Sequence, residues 1–152
     1  MSTIEAKSEA LQKSKAEEFA TACPSRVIEM ALEDLEAVER SKKYKVEMDA
    51  CHDPRHGKCY VCLGGAVIAN RFGADPDERM VFDSCDGWGD EETKRLSALD
   101  CFRQGYVAWG LDYFDVKWLD DEKHTVARYQ RNTKRFKADV RAIAELLKSH
   151  GL

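Results

Sequence analysis

No run of apolar residues in this sequence approaches the roughly 20 that a membrane-spanning helix needs. The N-terminal stretch MSTIEAKSEALQKSKAEEF mixes acids with lysines and lacks the apolar segment of a signal peptide. No repeat of fixed period and no low-complexity linker divides the chain. We therefore expect a cytoplasmic protein without a membrane partner. Its six cysteines should stay reduced there, which disfavours a disulfide framework.

Several catalytic motifs are missing as well. The sequence contains no phosphate-binding glycine loop, no nucleophile elbow and no metalloprotease helix. These absences favour a non-enzymatic protein. An enzyme with a cysteine nucleophile stays open, and it would show one thiol far more reactive than the others.

The net charge of only −4 creates no overall field toward nucleic acid or anionic lipid. The charge is unevenly distributed, however. Residues 123–152 carry +6, which leaves −10 on the first 122 residues. Residues 75–122 alone contain fourteen acids against five bases. The chain therefore has a basic C-terminal end and an acidic body.

The chain is long enough, at 152 residues with 43% apolar side chains, to bury one core. We predict a mostly α fold: a compact bundle of five or six helices with at most a small β element and a long C-terminal amphipathic helix. Residues 1–22 should form a helical or partly disordered arm, and residues 23–152 a single helical domain. An apolar stripe predicts a helix over 24–40. Residues 44–48 alternate like a short strand, and the apolar run 62–69 predicts a buried helix.

Further along the chain, Asp90 is a candidate helix cap and Gly105 a candidate helix end. The aromatic-rich residues 106–119 should contribute to the core. Asp120 and Asp121 should begin the last helix.

The segment CHDPRHGKCYVC, residues 51–62, concentrates three cysteines and two histidines. Zinc takes four tetrahedral ligands, usually cysteine and histidine, on a tight loop. Cys51, His56, Cys59 and Cys62 have a compact C-x4-H-x2-C-x2-C spacing that could wrap one ion, and His52 could replace Cys51. Against zinc, a single CxxC is common and the usual second pair is missing.

Other interpretations of this segment compete with zinc. Cys59 and Cys62 at a helix N-terminus, beside Lys58, could form a low-pKa redox pair, but the βαβ pattern of thioredoxin-like proteins is missing. A zinc deaminase is excluded, because neither its upstream glutamate motif nor its proline before the CxxC is present. We favour the simplest interpretation. The segment is a solvated loop that enters a buried helix, and Cys59, Cys62 and Cys101 are small core residues.

Apolar residues in the C-terminal segment are spaced like the a/d positions of three heptads. The seam consists of Val126, Tyr129, Thr133, Phe136, Val140, Ile143 and Leu147, and it is apolar apart from Thr133. Basic residues lie around it: Arg128, Arg131, Lys134, Arg135, Lys137 and Arg141. This helix could pack on its own domain with the basic residues facing the acidic segment 75–122. Alternatively, Tyr129, Phe136, Val140, Ile143 and Leu147 could form a homodimer interface, or the basic face could contact nucleic acid.

Part of the chain resembles a group of small uncharacterised proteins encoded by bacteriophages and prophages. The resemblance covers residues 44–105 and lies in three motifs: Y-x-V-x-M at 44–48, CYVCLGGAVIA at 59–69 and RLSALDCFRQG at 95–105. It implies a protein that works in the host bacterial cytoplasm during infection. Small phage accessory proteins commonly bind a host or defence protein, so a partner of that class is implied.

Together these observations predict a small non-enzymatic accessory protein that acts by protein–protein binding, with a possible homodimer. The alternative is a small zinc-binding protein, with nucleic acid contacted through the basic C-terminal helix.

Overall fold

The computed structural model describes residues 3–48, 50–80, 90–100 and 128–152. Six helices and three strands lie in these ranges. In chain order they are α1 (Thr3–Thr21), α2 (Pro24–Glu39), β1 (Tyr44–Val46), β2 (His52–Arg55), β3 (Lys58–Val61), α3 (Leu63–Asn70), α4 (Asp90–Asp100), α5 (Arg128–Arg131) and α6 (Thr133–Ser149). The expected helices over 24–40 and 62–69, the strand at 44 and the helix start at Asp90 all correspond to observed elements. The predictions for residues 106–119, for Gly105 and for Asp120 and Asp121 lie outside the described residues.

The prediction of a mostly α bundle with at most a small β element is wrong, because the described ranges include a three-stranded mixed sheet. The strand order is β1-β3-β2, with β1 parallel and β2 antiparallel to β3. The sheet carries core residues on its buried face, among them Val46, Cys59 and Val61. Within the described ranges, the fold therefore combines helices with a three-stranded mixed sheet.

The error arose at the 51–62 segment, where Pro54 and Gly57 indicated a loop. Among the described strands β2 is an edge strand, and proline is tolerated at edges because no ladder bond is required from it. Pro54 faces Cys59, whose N–H instead donates to the carbonyl of Lys43 at 2.9 Å. His56 and Gly57 both have positive φ, 49° and 84°, as a two-residue type I′ hairpin turn requires.

Helix α2 is central, since it packs against α3, α6, β1 and α4. Its buried side chains include Ile28 and Leu35, which are fully inaccessible to solvent. Helix α1 is attached at its C-terminal end, where Phe19 is buried. There Arg95 of α4 donates to the carbonyls of Phe19 and Ala22 at 2.7 and 2.6 Å, and so satisfies acceptors at the end of the helix.

The C-terminal helical segment is interrupted at Asn132, so the expected continuous seam is divided. The Asn132 side chain accepts a hydrogen bond from the Arg135 N–H at 3.0 Å and caps α6. Beyond this break, α6 packs on α2. Four of the five proposed interface residues are buried within the chain, namely Phe136, Val140, Ile143 and Leu147. Tyr129 is half-buried and stacks edge-on against the Phe136 ring.

We predict that Ile143→Ala lowers the free energy of unfolding by about 2–5 kcal/mol, because it leaves a cavity between α6 and α2. The control is Lys134→Ala on the exposed side of α6, which should change stability by no more than about 0.5 kcal/mol. Urea unfolding measures both variants. Light scattering should show no change of oligomeric state in either. A stable Ile143→Ala protein that dissociates from dimer to monomer would show that the seam joins two chains.

Candidate functional site

The four predicted zinc ligands lie in and around the β2–β3 hairpin. His56 is exposed in the turn, whereas Cys51 and Cys62 lie at the opposite end of the hairpin. Cys59 is buried in β3. The hairpin thus separates His56 from Cys51 and Cys62 by the length of a four-residue strand. Within the described ranges, no three His, Cys, Asp or Glu side chains are close enough together to hold a metal ion. The zinc site stays a prediction that this arrangement does not support.

The cysteines of the CxxC motif differ in their surroundings. Burial raises the pKa of the Cys59 thiol to about 11, so the thiol stays protonated at neutral pH. The Cys62 sulfur caps α3, where it accepts a hydrogen bond from the Gly65 N–H at 3.3 Å. Three residues of extended chain place the two Cα atoms about 10 Å apart, beyond the roughly 7 Å limit for a disulfide. This geometry does not support the redox interpretation of Cys59 with Cys62.

His52 is a buried residue that the sequence interpretation assigned to a solvated loop. Its Nδ1 lies 2.7 Å from the carbonyl oxygen of Glu78, and its backbone pairs with Met80. Its Nε2 is buried without a hydrogen-bond partner among the described residues. The Tyr44 ring lies 6.3 Å away. Burial lowers the pKa of the imidazole, and the bond to the Glu78 carbonyl only partly offsets that effect.

Two of the six predicted basic-face residues of the C-terminal segment form ion pairs with acids of the same chain. Lys137 lies 2.6 Å from Glu39, and Arg141 lies 3.3 Å from Glu36. These acids belong to α2, not to the segment 75–122 that the charge pattern indicated. A further pair joins Lys148 to Glu29 at 2.9 Å. The order of the pairs shows that α2 and α6 run antiparallel.

Of the remaining basic-face residues, Arg135 pairs with Asp139 at 3.4 Å within α6. Arg131 and Lys134 are exposed. The Arg128 side chain lies outside the described residues. Nucleic-acid binding through this face stays a prediction, although two of its six cations are already paired with α2.

A groove of about 460 Å³ opens between α2 and α6. Its floor is apolar and small, formed by Leu32 and Ala144, which are 6% and 2% exposed. Its rim carries four carboxylates and one guanidinium, from Glu29, Glu33, Glu36, Glu145 and Arg141. Sequence patterns could not reveal this groove, because it depends on how two helices distant in the chain are packed. Its residues appeared in the sequence only as charged positions on helix surfaces.

Comparison of the chain with protein-family models, curated proteins and solved structures found no match. The family resemblance therefore stays a prediction. None of the helices in the described ranges is long and apolar enough to cross a membrane. Within the described residues, the groove between α2 and α6 and the β2–β3 hairpin are the two candidate sites.

We predict that Cys23 is the fastest and Cys59 the slowest to react among the thiols at positions 23, 51, 59 and 62. Cys23 is exposed at the start of α2, and its hydrogen bond with Ser25 lowers the pKa of the thiol. At pH 8 even a thiol of ordinary pKa would have an approximately 100-fold larger thiolate fraction than Cys59, and the lowered pKa of Cys23 increases this difference. Timed alkylation followed by peptide mass spectrometry measures the rates.

The control for this experiment is Ser25→Ala, which removes the hydrogen bond and should slow only Cys23. Labelling of Cys59 as fast as Cys23 in the native protein would contradict the burial of the Cys59 side chain. A fast Cys23 would be explained by exposure and hydrogen bonding, so it would not indicate a catalytic nucleophile.

We predict that the protein loses stability as the pH falls below about 6.5, in part because of His52. The pKa of His52 is lower in the folded chain than in the unfolded chain. Below about pH 6.5 the imidazole therefore becomes protonated in the unfolded chain while it stays neutral in the folded chain, and this favours unfolding. The loss should level off once the pH falls below the folded-state pKa. Urea unfolding between pH 7.5 and 5 measures this.

As the pH falls from 7.5 to 5, wild type should lose stability relative to His52→Phe, because phenylalanine does not titrate. His56→Asn, in the exposed turn, should keep the wild-type pH dependence. A His52→Phe curve parallel to that of wild type would contradict the prediction.

Proposed function

We propose that this protein acts by binding another protein, and that its partner docks in the groove between α2 and α6. The observation that carries this proposal is the groove itself, an open surface with a small apolar floor inside a charged rim. Protein interfaces commonly combine an apolar centre with a polar edge. The missing catalytic motifs agree with a binding role.

The charges of the groove favour a cationic partner surface. Four carboxylates line the rim with the guanidinium of Arg141, and two cations beside the rim, Arg26 and Lys148, pair with three of them, which leaves a net negative charge. A partner that presents lysine or arginine beside a small apolar side chain would complement both the rim and the floor. The net negative charge of the rim favours a cationic protein surface over nucleic acid, whose phosphates carry the same sign of charge.

The proposed partner is a different protein, not a second copy held through the heptad seam. Residues such as Val140 and Ile143 are buried against α2 and would have to leave the core before they could contact another chain. The resemblance to phage-encoded proteins implies the class of partner: a host or defence protein in a bacterial cytoplasm. A homodimer through another surface stays a prediction for light scattering to test.

We predict that reversing two rim charges, Glu36→Lys with Glu145→Lys, weakens partner capture at least about tenfold. Both positions are solvent-accessible, so the fold should tolerate the change. The experiment is a pull-down from bacterial lysate at low and high salt, quantified by mass spectrometry. Capture that depends on the groove should also weaken as salt is added, because added ions screen the charges.

The matched control is Asp77→Lys with Glu78→Lys, which makes the same charge change at exposed positions outside the groove. This control should capture the partner as wild type does. A set of captured proteins that is the same for both double variants would refute the groove as the docking site. Circular dichroism and urea unfolding confirm that both variants are folded.

A further inference from the structure

We propose that Cys51 and Cys62 are a redox-sensitive pair that forms a reversible disulfide within the chain. The hairpin register carries this inference. His52 pairs with Val61, so the next pair along the two antiparallel chains is Cys51 with Cys62. The Cys62 N–H donates to the Cys51 carbonyl at 3.4 Å, which shows that the pairing extends to these two residues.

The distance between opposed residues suits a disulfide. In a hydrogen-bonded antiparallel pair the Cα atoms lie about 5.5 Å apart, within the roughly 4.4–6.8 Å range of disulfides. Side chains of directly opposed residues also lie on the same face of the sheet. Cys59 does not meet these conditions with Cys62, because both belong to one extended segment. Cys51 and Cys62 are thiols in this structure.

Helix α3 holds the two cysteines close to each other. Gly65, in its first turn, lies against the Cys51 backbone so closely that a Cβ there would be 1.8 Å from the Cys51 carbonyl oxygen. The N–H of Gly65 also donates to the Cys62 sulfur. Contacts from one helix turn thus reach both cysteines. Only glycine allows this approach.

The chemistry needs an oxidant, and a small-molecule disulfide such as oxidised glutathione supplies it. Cys51 is partly accessible whereas Cys62 is buried, so the oxidant meets Cys51 first. The Cys51 sulfur, after losing its proton, attacks one sulfur of the oxidant and releases one thiol. The deprotonated Cys62 sulfur then attacks the Cys51 sulfur of this mixed disulfide and releases the second thiol. Two cysteine thiols are oxidised, and one disulfide is reduced to two thiols.

The disulfide should be easy to reduce. Opposed Cβ atoms in an antiparallel pair are typically about 4.5–5.5 Å apart, whereas an unstrained disulfide brings them to roughly 3.5–4.5 Å. Closing this gap strains the end of the hairpin, and strained disulfides have the higher reduction potentials typical of reversible bonds. The pair therefore suits a switch better than a permanent crosslink.

The test treats the full-length protein with oxidised glutathione, alkylates the remaining thiols and maps tryptic peptides. Trypsin cuts after Arg55 and Lys58, so a Cys51–Cys62 disulfide joins peptides 46–55 and 59–71. A Cys59–Cys62 disulfide would instead stay inside peptide 59–71. We expect the joined peptides, and their loss after dithiothreitol treatment.

Cys59→Ser should keep the crosslink, and Cys51→Ser should abolish it. The oxidised wild type should also unfold at a higher urea concentration than the reduced form, because the bond closes a loop in the unfolded chain. Cys51→Ser should show no such shift. A disulfide mapped inside peptide 59–71 would overturn the proposal. So would the absence of any crosslink while both thiols take up glutathione separately.

Discussion

The buried ion pair between Asp34 and Arg71 joins helix α2 to the end of helix α3 within the described core. Asp34 is 1% exposed in the middle of α2, and Arg71 is 8% exposed at the end of α3. The guanidinium approaches both carboxylate oxygens, at 2.9 and 3.3 Å, and Asn70 donates to one of them at 2.7 Å. Burial raises the pKa of the Asp34 carboxyl, while these donors act in the opposite direction. Since loss of one partner from a buried pair typically costs about 3–5 kcal/mol, the pair fixes α3 in position against α2.

Helix α2 packs against α6 as well as against α3. At the edge of the contact with α6, carboxylates of α2 pair with Lys137, Arg141 and Lys148. The same edge forms the acidic rim of the groove. Helix α2 therefore supplies both the internal partner of the seam and one wall of the proposed docking surface. The heptad pattern identified residues that need an apolar partner, but not whether that partner lies in the same chain.

Sequence patterns predicted helices α2 and α3, whose formation depends on residues close together in the chain. The stripe after Pro24 identified α2, and the apolar run after Cys62 identified α3, because helix periodicity and capping act over a few residues. The sheet was missed for two reasons. Pro54 and Gly57 indicated a loop where β2 and β3 form a hairpin, and β1 pairs with β3, which follows it in the chain only after β2. The buried state of His52 and the groove were missed for the second reason. Both depend on contacts between segments far apart in the chain, such as the bond from His52 to Glu78.

The cysteines show how strand register changes the chemistry inferred from spacing. On a helix or tight loop, a CxxC spacing brings its two thiols together, which makes Cys59 and Cys62 the expected pair. On an extended strand the same spacing separates them, and the neighbour of each thiol is set by the facing strand. The two-residue turn at His56 and Gly57 fixes that facing strand in register, so Cys62 meets Cys51 eleven positions earlier. Because the turn requires positive φ at both residues, the backbone conformation of His56 and Gly57 decides which thiols can react with each other.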